Sequence, residues 1–148
     1  MNRKIQLLFA ILLFTISTVY SQNQIGEITG GAPTITIDQT ALKSAFNEAF
    51  YNVTGDSANF NTVSIVLNGG TDHYAYLLLF TNSAGLRAAF GVNAIGSILY
   101  VEDKTTCTTT ACSWEAQGCV PKTNGGCTLC SNSGLCTKTV TSGSMLGF

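Results

Sequence analysis

Residues 73–80 read HYAYLLLF and carry apolar side chains on both faces of an expected β-strand. Successive side chains of a strand point to opposite faces, so Ala75, Leu77 and Leu79 should share one face. The other face should hold Tyr74, Tyr76, Leu78 and Phe80. A strand with one face in water should alternate apolar with polar residues. The fold is therefore expected to place a layer against each face of this strand.

A helix is expected to form the first of these layers. Residues 38–55 read DQTALKSAFNEAFYNVTG. Apolar residues recur in this segment at spacings of three and four, which is typical of one helix face: Leu42, Ala45, Phe46, Ala49, Phe50 and Val53. Asp38 is suited to cap the first turn, and Gly55 ends the pattern. The segment is predicted to be an amphipathic helix that packs its apolar stripe on a sheet.

Further strands are expected on either side of residues 73–80. Residues 61–68 alternate in polarity, and the NGG that follows at 68–70 favours a tight hairpin. Two more strand-like segments, LRAAFGV at 86–92 and SILYVED at 97–103, are joined by short turn sequences. The fold class predicted for residues 34–104 is α+β, with one amphipathic helix packed on a four-stranded antiparallel meander.

The second face of the sheet has two candidate covers. The first is the C-terminal segment folding back, which is favoured because large exposed apolar patches are rare. The second is a partner protein or another copy of the chain, in a homo-oligomer. Under this alternative, the candidate interaction surface comprises four aromatic residues: Tyr74, Tyr76, Tyr100 and Trp114.

All six cysteines lie in the C-terminal segment, residues 105–148: Cys107, Cys112, Cys119, Cys127, Cys130 and Cys136. The segment contains few large apolar residues, so it cannot form a core of its own. A short segment without a core needs covalent or metal cross-links. An even number of cysteines predicts a loop-dominated segment held by disulfides, but the sequence does not select the pairing.

Metal binding and thiol redox chemistry are the alternatives for these cysteines. Cys127 and Cys130 form a C-x-x-C, the spacing of half a zinc site or of a redox pair. The segment contains no histidine and no second pair at this spacing. Disulfides are therefore preferred, and no metal or cofactor is expected.

The N-terminus is typical of a secretory signal peptide. Basic residues precede an apolar run from Leu7 to Ile16, and small polar residues follow it. The run is well short of the roughly 20 residues that span a bilayer. Residues 1–21 are interpreted as a signal peptide cleaved after Ser21, and residues 22–33 as a flexible, Gly-rich leader. The protein is expected to be secreted or periplasmic, with no stable membrane insertion after cleavage.

Charge and motif content narrow the expected function. Of seven basic residues, Arg3 and Lys4 lie in the signal peptide, which leaves five against eight acidic residues. No basic patch occurs, so nucleic acid is not an expected partner. No familiar catalytic motif occurs either. Asp72 and His73 are neighbours at a hairpin mouth and should point to opposite faces of a strand, so they are interpreted as solvated turn residues.

The sequence favours a small exported, non-enzymatic protein that acts by surface contact. Such a protein would be an adhesion, envelope or interaction module with a protein or cell-surface partner of unknown identity. A secreted inhibitor or toxin-like effector that presents disulfide-bridged loops is the first alternative. A metal-binding or thiol redox module that uses the C-x-x-C is the second.

Overall fold

The computed structural model describes residues 23–69, 72–112, 115–130, 136–140 and 146. The expected signal peptide and Trp114 lie outside these residues. The described part of the chain forms one helix and seven strands, and their bounds are β1 Gln24–Thr29, β2 Ala32–Ile35, α1 Gln39–Thr54, β3 Thr62–Leu67, β4 Tyr76–Thr81, β5 Arg87–Ile95, β6 Ile98–Thr109 and β7 Thr137–Val140.

The strands form a single antiparallel sheet with the order β2-β1-β6-β5-β4-β3, and β7 pairs with the second half of β6. The sheet curls until its edge strands β2 and β3 come into contact, so it forms a nearly closed barrel. The predicted fold of one helix on a four-stranded sheet is therefore wrong. The four expected strands are present as β3 to β6, but three further strands make the fold mostly sheet.

Two of the additional strands involve the segment interpreted as a flexible leader. Residues 24–29 form β1, which pairs with β2 and with the start of β6. The glycines of this segment serve a tight turn, because Gly30 and Gly31 adopt φ of 59° and 84° between the two strands. Ile25 is fully buried and anchors β1 to the core. A high glycine content marks a hairpin here and not a linker.

The third additional strand, β7, pairs with a part of β6 that was not predicted. Strand β6 was expected to end at Asp103, yet it continues to Thr109 and crosses the expected boundary between residues 104 and 105. The continuation is rich in threonine, whose β-branched side chain suits a strand. It pairs with β7 from Thr105 to Thr108. The segment expected to be loops therefore supplies the last five of the twelve residues of β6 and all of β7.

The predicted helix is present as α1, and local signals set both of its ends. The Asp38 carboxylate accepts hydrogen bonds from the amides of Thr40 at 2.7 Å and Ala41 at 3.1 Å. Gly55 adopts φ of 78° and its amide donates to the Tyr51 carbonyl at 2.8 Å. Both contacts satisfy backbone groups that a helix end leaves unpaired.

The helix packs on the inner face of the curled sheet. Three residues of its predicted stripe, Leu42, Phe46 and Phe50, are buried, whereas Val53 is half exposed near the C-terminal end. Phe46 contacts four other rings with centroid distances of 4.2 to 6.0 Å, namely Phe50, Phe60, Phe80 and Phe90. This aromatic cluster is the centre of the core.

Candidate functional site

The outer face of the sheet carries residues 115–130, here called the outer ribbon. The side-chain amide of Gln117 donates to the Leu67 carbonyl at 2.9 Å. The backbone amide of Thr123 donates to the Asp72 carbonyl at 3.2 Å. The ribbon therefore contacts the last residue of β3 and the turn that precedes β4. Its disulfide to Cys107, which lies opposite Ala89 of β5, places it on the face opposite the helix.

Apolar side chains on this outer face are buried. Leu77 and Leu79 of β4 are 0% and 5% exposed, and Ala89 of β5 is 0% exposed. These residues alternate with the ones that face α1. Their burial agrees with the expectation that the Cys-rich segment folds back over the second face.

The outer ribbon folds back on itself as a short hairpin. The Thr128 amide donates to the Val120 carbonyl at 2.9 Å, and the Val120 amide donates to the Thr128 hydroxyl at 3.0 Å. The Lys122 amide closes the turn by donating to the Gly126 carbonyl at 2.8 Å. Lys122 also pairs with His73 in an isolated antiparallel β-bridge. The hairpin tip therefore lies beside the start of β4.

Three disulfides hold the ribbon, and they confirm the preferred prediction for the cysteines. The bonded pairs are Cys107–Cys127, Cys112–Cys130 and Cys119–Cys136, with Cα–Cα distances of 5.8, 5.5 and 5.9 Å. These separations suit disulfide geometry, and no cysteine is free. The C-x-x-C is divided between two bridges, so Cys127 and Cys130 are not partners of each other.

Two of the disulfides are adjacent. The sulfurs of Cys112, Cys119, Cys130 and Cys136 all lie within 4.8 Å of one another. The Cys112 and Cys119 sulfurs, which belong to different bridges, are 3.9 Å apart. Thr109 at the end of β6 donates its hydroxyl to the Cys112 sulfur at 3.8 Å. Four cysteine sulfurs in one cluster are a donor set that zinc prefers when the sulfurs are thiolates.

Leu129 is the most exposed large apolar residue among the described ones, at 71%. It lies between Cys127 and Cys130, and each of these is bonded to a different cysteine. Thr128 beside it is tied to Val120 within the hairpin. An apolar side chain is therefore held in water on a turn that has little freedom to rearrange.

The aromatic residues of the candidate interaction surface do not share one face. Tyr76 is half-buried and packs against the inner core. Tyr74 lies on the outer face, because its ring occupies the space into which a Cβ on Gly91 would point. The two were expected on the same face, but β4 begins only at Tyr76, so strand alternation does not extend to Tyr74. Tyr100 is half-buried in β6, and the role of all four in binding stays a prediction.

Tyr74 should make the stability of the protein sensitive to alkaline pH. Burial raises the pKa of its phenol above the ordinary 10.0, and the nearby Glu102 carboxylate raises it further. The folded state thus favours the neutral phenol. This contribution to stability is present below about pH 10 and is lost as the pH rises through the folded-state pKa.

The Tyr74→Phe variant cannot ionise and should lose less stability on the alkaline side. Denaturant midpoints measured from about pH 8 to 11 should fall less steeply for this variant than for the parent protein. Tyr51→Phe, at an exposed position of α1, is the control and should follow the parent profile. Identical slopes for Tyr74→Phe and the parent would contradict the prediction.

Asp72 and His73 lie beside the hairpin tip of the outer ribbon. The Asp72 carbonyl accepts from the Thr123 amide, and Asp72 itself is exposed. The Nε2 atom of His73 is buried and has no hydrogen-bond partner among the described residues. A histidine base in a catalytic pair is oriented by a carboxylate or a nucleophile, and no such contact orients His73 in the described part of the chain.

A cavity of about 390 Å³ opens where the end of α1 meets the β4–β5 turn and the start of β7. Its lining combines Phe50 and Leu86 with hydroxyl and amide side chains such as Thr54, Asn82 and Thr137. Asp56 is the one titratable residue among the described lining residues. The cavity therefore offers hydrogen bonds to a small neutral ligand but no acid–base pair. The sequence contained no local signal for it, since the described lining residues come from four separate segments.

Comparison with protein-family models, curated proteins and solved structures finds no match to this chain. Within the described ranges, no helix has the length and apolar character needed to cross a bilayer.

Proposed function

We propose that the protein is exported and acts without catalysis, by presenting Leu129 on the turn from Cys127 to Cys130 to a protein partner at a cell surface or envelope. The observation that carries this proposal is the 71% exposure of Leu129 between two disulfide-bonded cysteines. A turn whose backbone is already restrained loses little entropy when it binds. Such an anchor suits the centre of a protein contact.

Three disulfides in one chain support the export part of this proposal. Disulfides form and persist in oxidising compartments and are rare in the cytosol. The apolar N-terminal run fits the same location, with cleavage after Ser21 and a secreted or periplasmic mature protein.

A secreted inhibitor or toxin-like effector is the second candidate, and the same turn favours it. An inhibitor needs an exposed side chain that can enter a pocket of its target, and Leu129 is such a side chain. The two candidates differ in their consequence for the partner. An inhibitor blocks the activity of the protein that it binds, whereas an adhesion or envelope module binds without that effect.

The Leu129→Asp variant should test the contact. We expect at least about a tenfold loss in binding to intact cells or to an isolated partner, because truncating a binding anchor costs about 2 kcal/mol or more. Ile95→Asp is the matched control, since Ile95 is an apolar residue of 55% exposure at the β5–β6 turn. Binding should survive this change.

Equal losses for the two variants, or no loss for Leu129→Asp, would show that the turn is not the contact. Enzymatic turnover that disappears when Asp72 or His73 is replaced would overturn the non-enzymatic proposal as a whole.

A further inference from the structure

We propose that Cys112, Cys119, Cys130 and Cys136 form a redox-controlled zinc site, which is closed by two disulfides in the oxidised protein and binds one Zn²⁺ when both are reduced. The proposal rests on the placement of the four sulfurs and is independent of the function proposed for Leu129.

The spacing of the sulfurs fits the ion. Zinc bound by four cysteines is tetrahedral with Zn–S distances of about 2.3 Å, which puts neighbouring sulfurs about 3.8 Å apart. The sulfurs of Cys112 and Cys119 are 3.9 Å apart without a bond between them. All four sulfurs lie within 4.8 Å of one another. Opening the two bridges requires each bonded pair to move apart by less than 2 Å, roughly the difference between a disulfide bond and this spacing.

The surroundings suit a structural metal centre. Cys112, Cys119 and Cys130 are buried, and Cys136 is half-buried, so water has limited access to the sulfurs. Four thiolates around Zn²⁺ carry a net charge of minus two, which hydrogen bonds to sulfur help to stabilise.

Thr109 supplies such a hydrogen bond. Its hydroxyl donates to the Cys112 sulfur at 3.8 Å and lies 4.0 Å from the Cys130 sulfur. The same oxygen accepts from the backbone amides of Ala111 at 2.9 Å and Cys112 at 3.3 Å. The hydroxyl oxygen is therefore held at the end of β6 beside two sulfurs of the cluster.

The two states exclude each other chemically. A disulfide sulfur is not a thiolate and does not bind zinc in this manner. One dithiol reductant per bridge transfers two electrons and two protons to the disulfide, yields two cysteine thiols and becomes a disulfide itself. Zn²⁺ then displaces the protons of the four thiols. Reoxidation needs one disulfide oxidant per bridge, which accepts two electrons from a cysteine pair, takes up two protons and becomes a dithiol; the two cysteine disulfides then re-form and the ion is released.

The proposed ligand set includes only one cysteine of the C-x-x-C, Cys130. Cys127 is bonded to Cys107, and its sulfur is not a member of the cluster. The remaining disulfide therefore provides an internal control, because Cys107 and Cys127 become free thiols on reduction without joining the zinc site.

The test uses the purified full-length protein, reduced with a phosphine and loaded with Zn²⁺. We expect one zinc per chain and, on alkylation, labelling of the half-buried Cys127 with protection of the four cluster cysteines. Cys119→Ser should lower zinc affinity by tenfold or more, since it removes one ligand. The Cys107→Ser/Cys127→Ser variant should retain one zinc with the affinity of the parent.

Co²⁺ in place of zinc gives an independent readout, because a tetrahedral cobalt–thiolate centre absorbs in the visible. Alkylation of all six cysteines in the zinc-loaded protein would overturn the proposal, and so would the absence of stoichiometric zinc. An equal loss of zinc affinity in Cys119→Ser and Cys107→Ser/Cys127→Ser would overturn it too. Thiols of an unfolded chain would bind zinc without distinguishing between these positions.

Discussion

Replacing Phe46 with alanine should lower the free energy of unfolding by about 3–5 kcal/mol. Phe46 is fully buried, and its ring meets four others, those of Phe50, Phe60, Phe80 and Phe90. The change removes buried apolar surface and leaves a cavity between α1 and the sheet. A loss of this size is a large part of the roughly 5–15 kcal/mol that stabilises a typical domain.

Denaturant unfolding followed by circular dichroism measures this loss. Tyr51→Ala is the matched control, because it removes an aromatic ring from a position of the same helix that is 54% exposed. We expect its effect to stay within about 0.5 kcal/mol. A Phe46→Ala variant as stable as Tyr51→Ala would mean that α1 does not pack on the sheet through this ring.

Removing the Cys112–Cys130 disulfide should lower the free energy of unfolding by about 3 kcal/mol. The two residues are 18 positions apart, and the bond restricts the unfolded chain across that loop. The suitable variant is Cys112→Ala/Cys130→Ala, which leaves no unpaired thiol beside the Cys119–Cys136 bridge. Hydrogen exchange should rise in the outer ribbon while α1 stays protected, because α1 has its own contacts with the inner face.

The control is the same comparison under a phosphine reductant with a metal chelator present. The difference between the parent and the variant should shrink once the parent has also lost its bridges. An unchanged difference would assign the effect to packing of the sulfurs and not to the disulfide.

In the oxidised parent, intact mass should lie about six hydrogens below the all-thiol value, two for each of the three bridges.

The helix could be predicted because its determinants are local. Asp38, Gly55 and the apolar spacing between them act through residues within a few positions of each other. The predicted segment and α1 agree at both ends. The apolar residues on both faces of β4 likewise required two covering layers, and α1 and the outer ribbon lie on opposite faces of the sheet.

The extent of the sheet could not be predicted in the same way. β1 pairs with β6, and Gln24 lies opposite Tyr100. Nothing near Gln24 indicates this partner, because strand pairing depends on residues that meet only when the chain closes. The face on which Tyr74 lies could not be predicted for the same reason. It depends on the residue at which β4 starts, and this start is set by strand pairing.

Cross-linked cysteines could be predicted from the sequence, because a segment without a core and with an even number of thiols has few other means of holding a shape. Which sulfurs meet could not be predicted, because the pairing depends on contacts between distant segments. Cys107 reaches Cys127 because β6 continues past the expected boundary and the outer ribbon returns across the sheet. The exposure of Leu129 and the cluster of four sulfurs follow from that return, since both depend on contacts between segments that are distant along the chain.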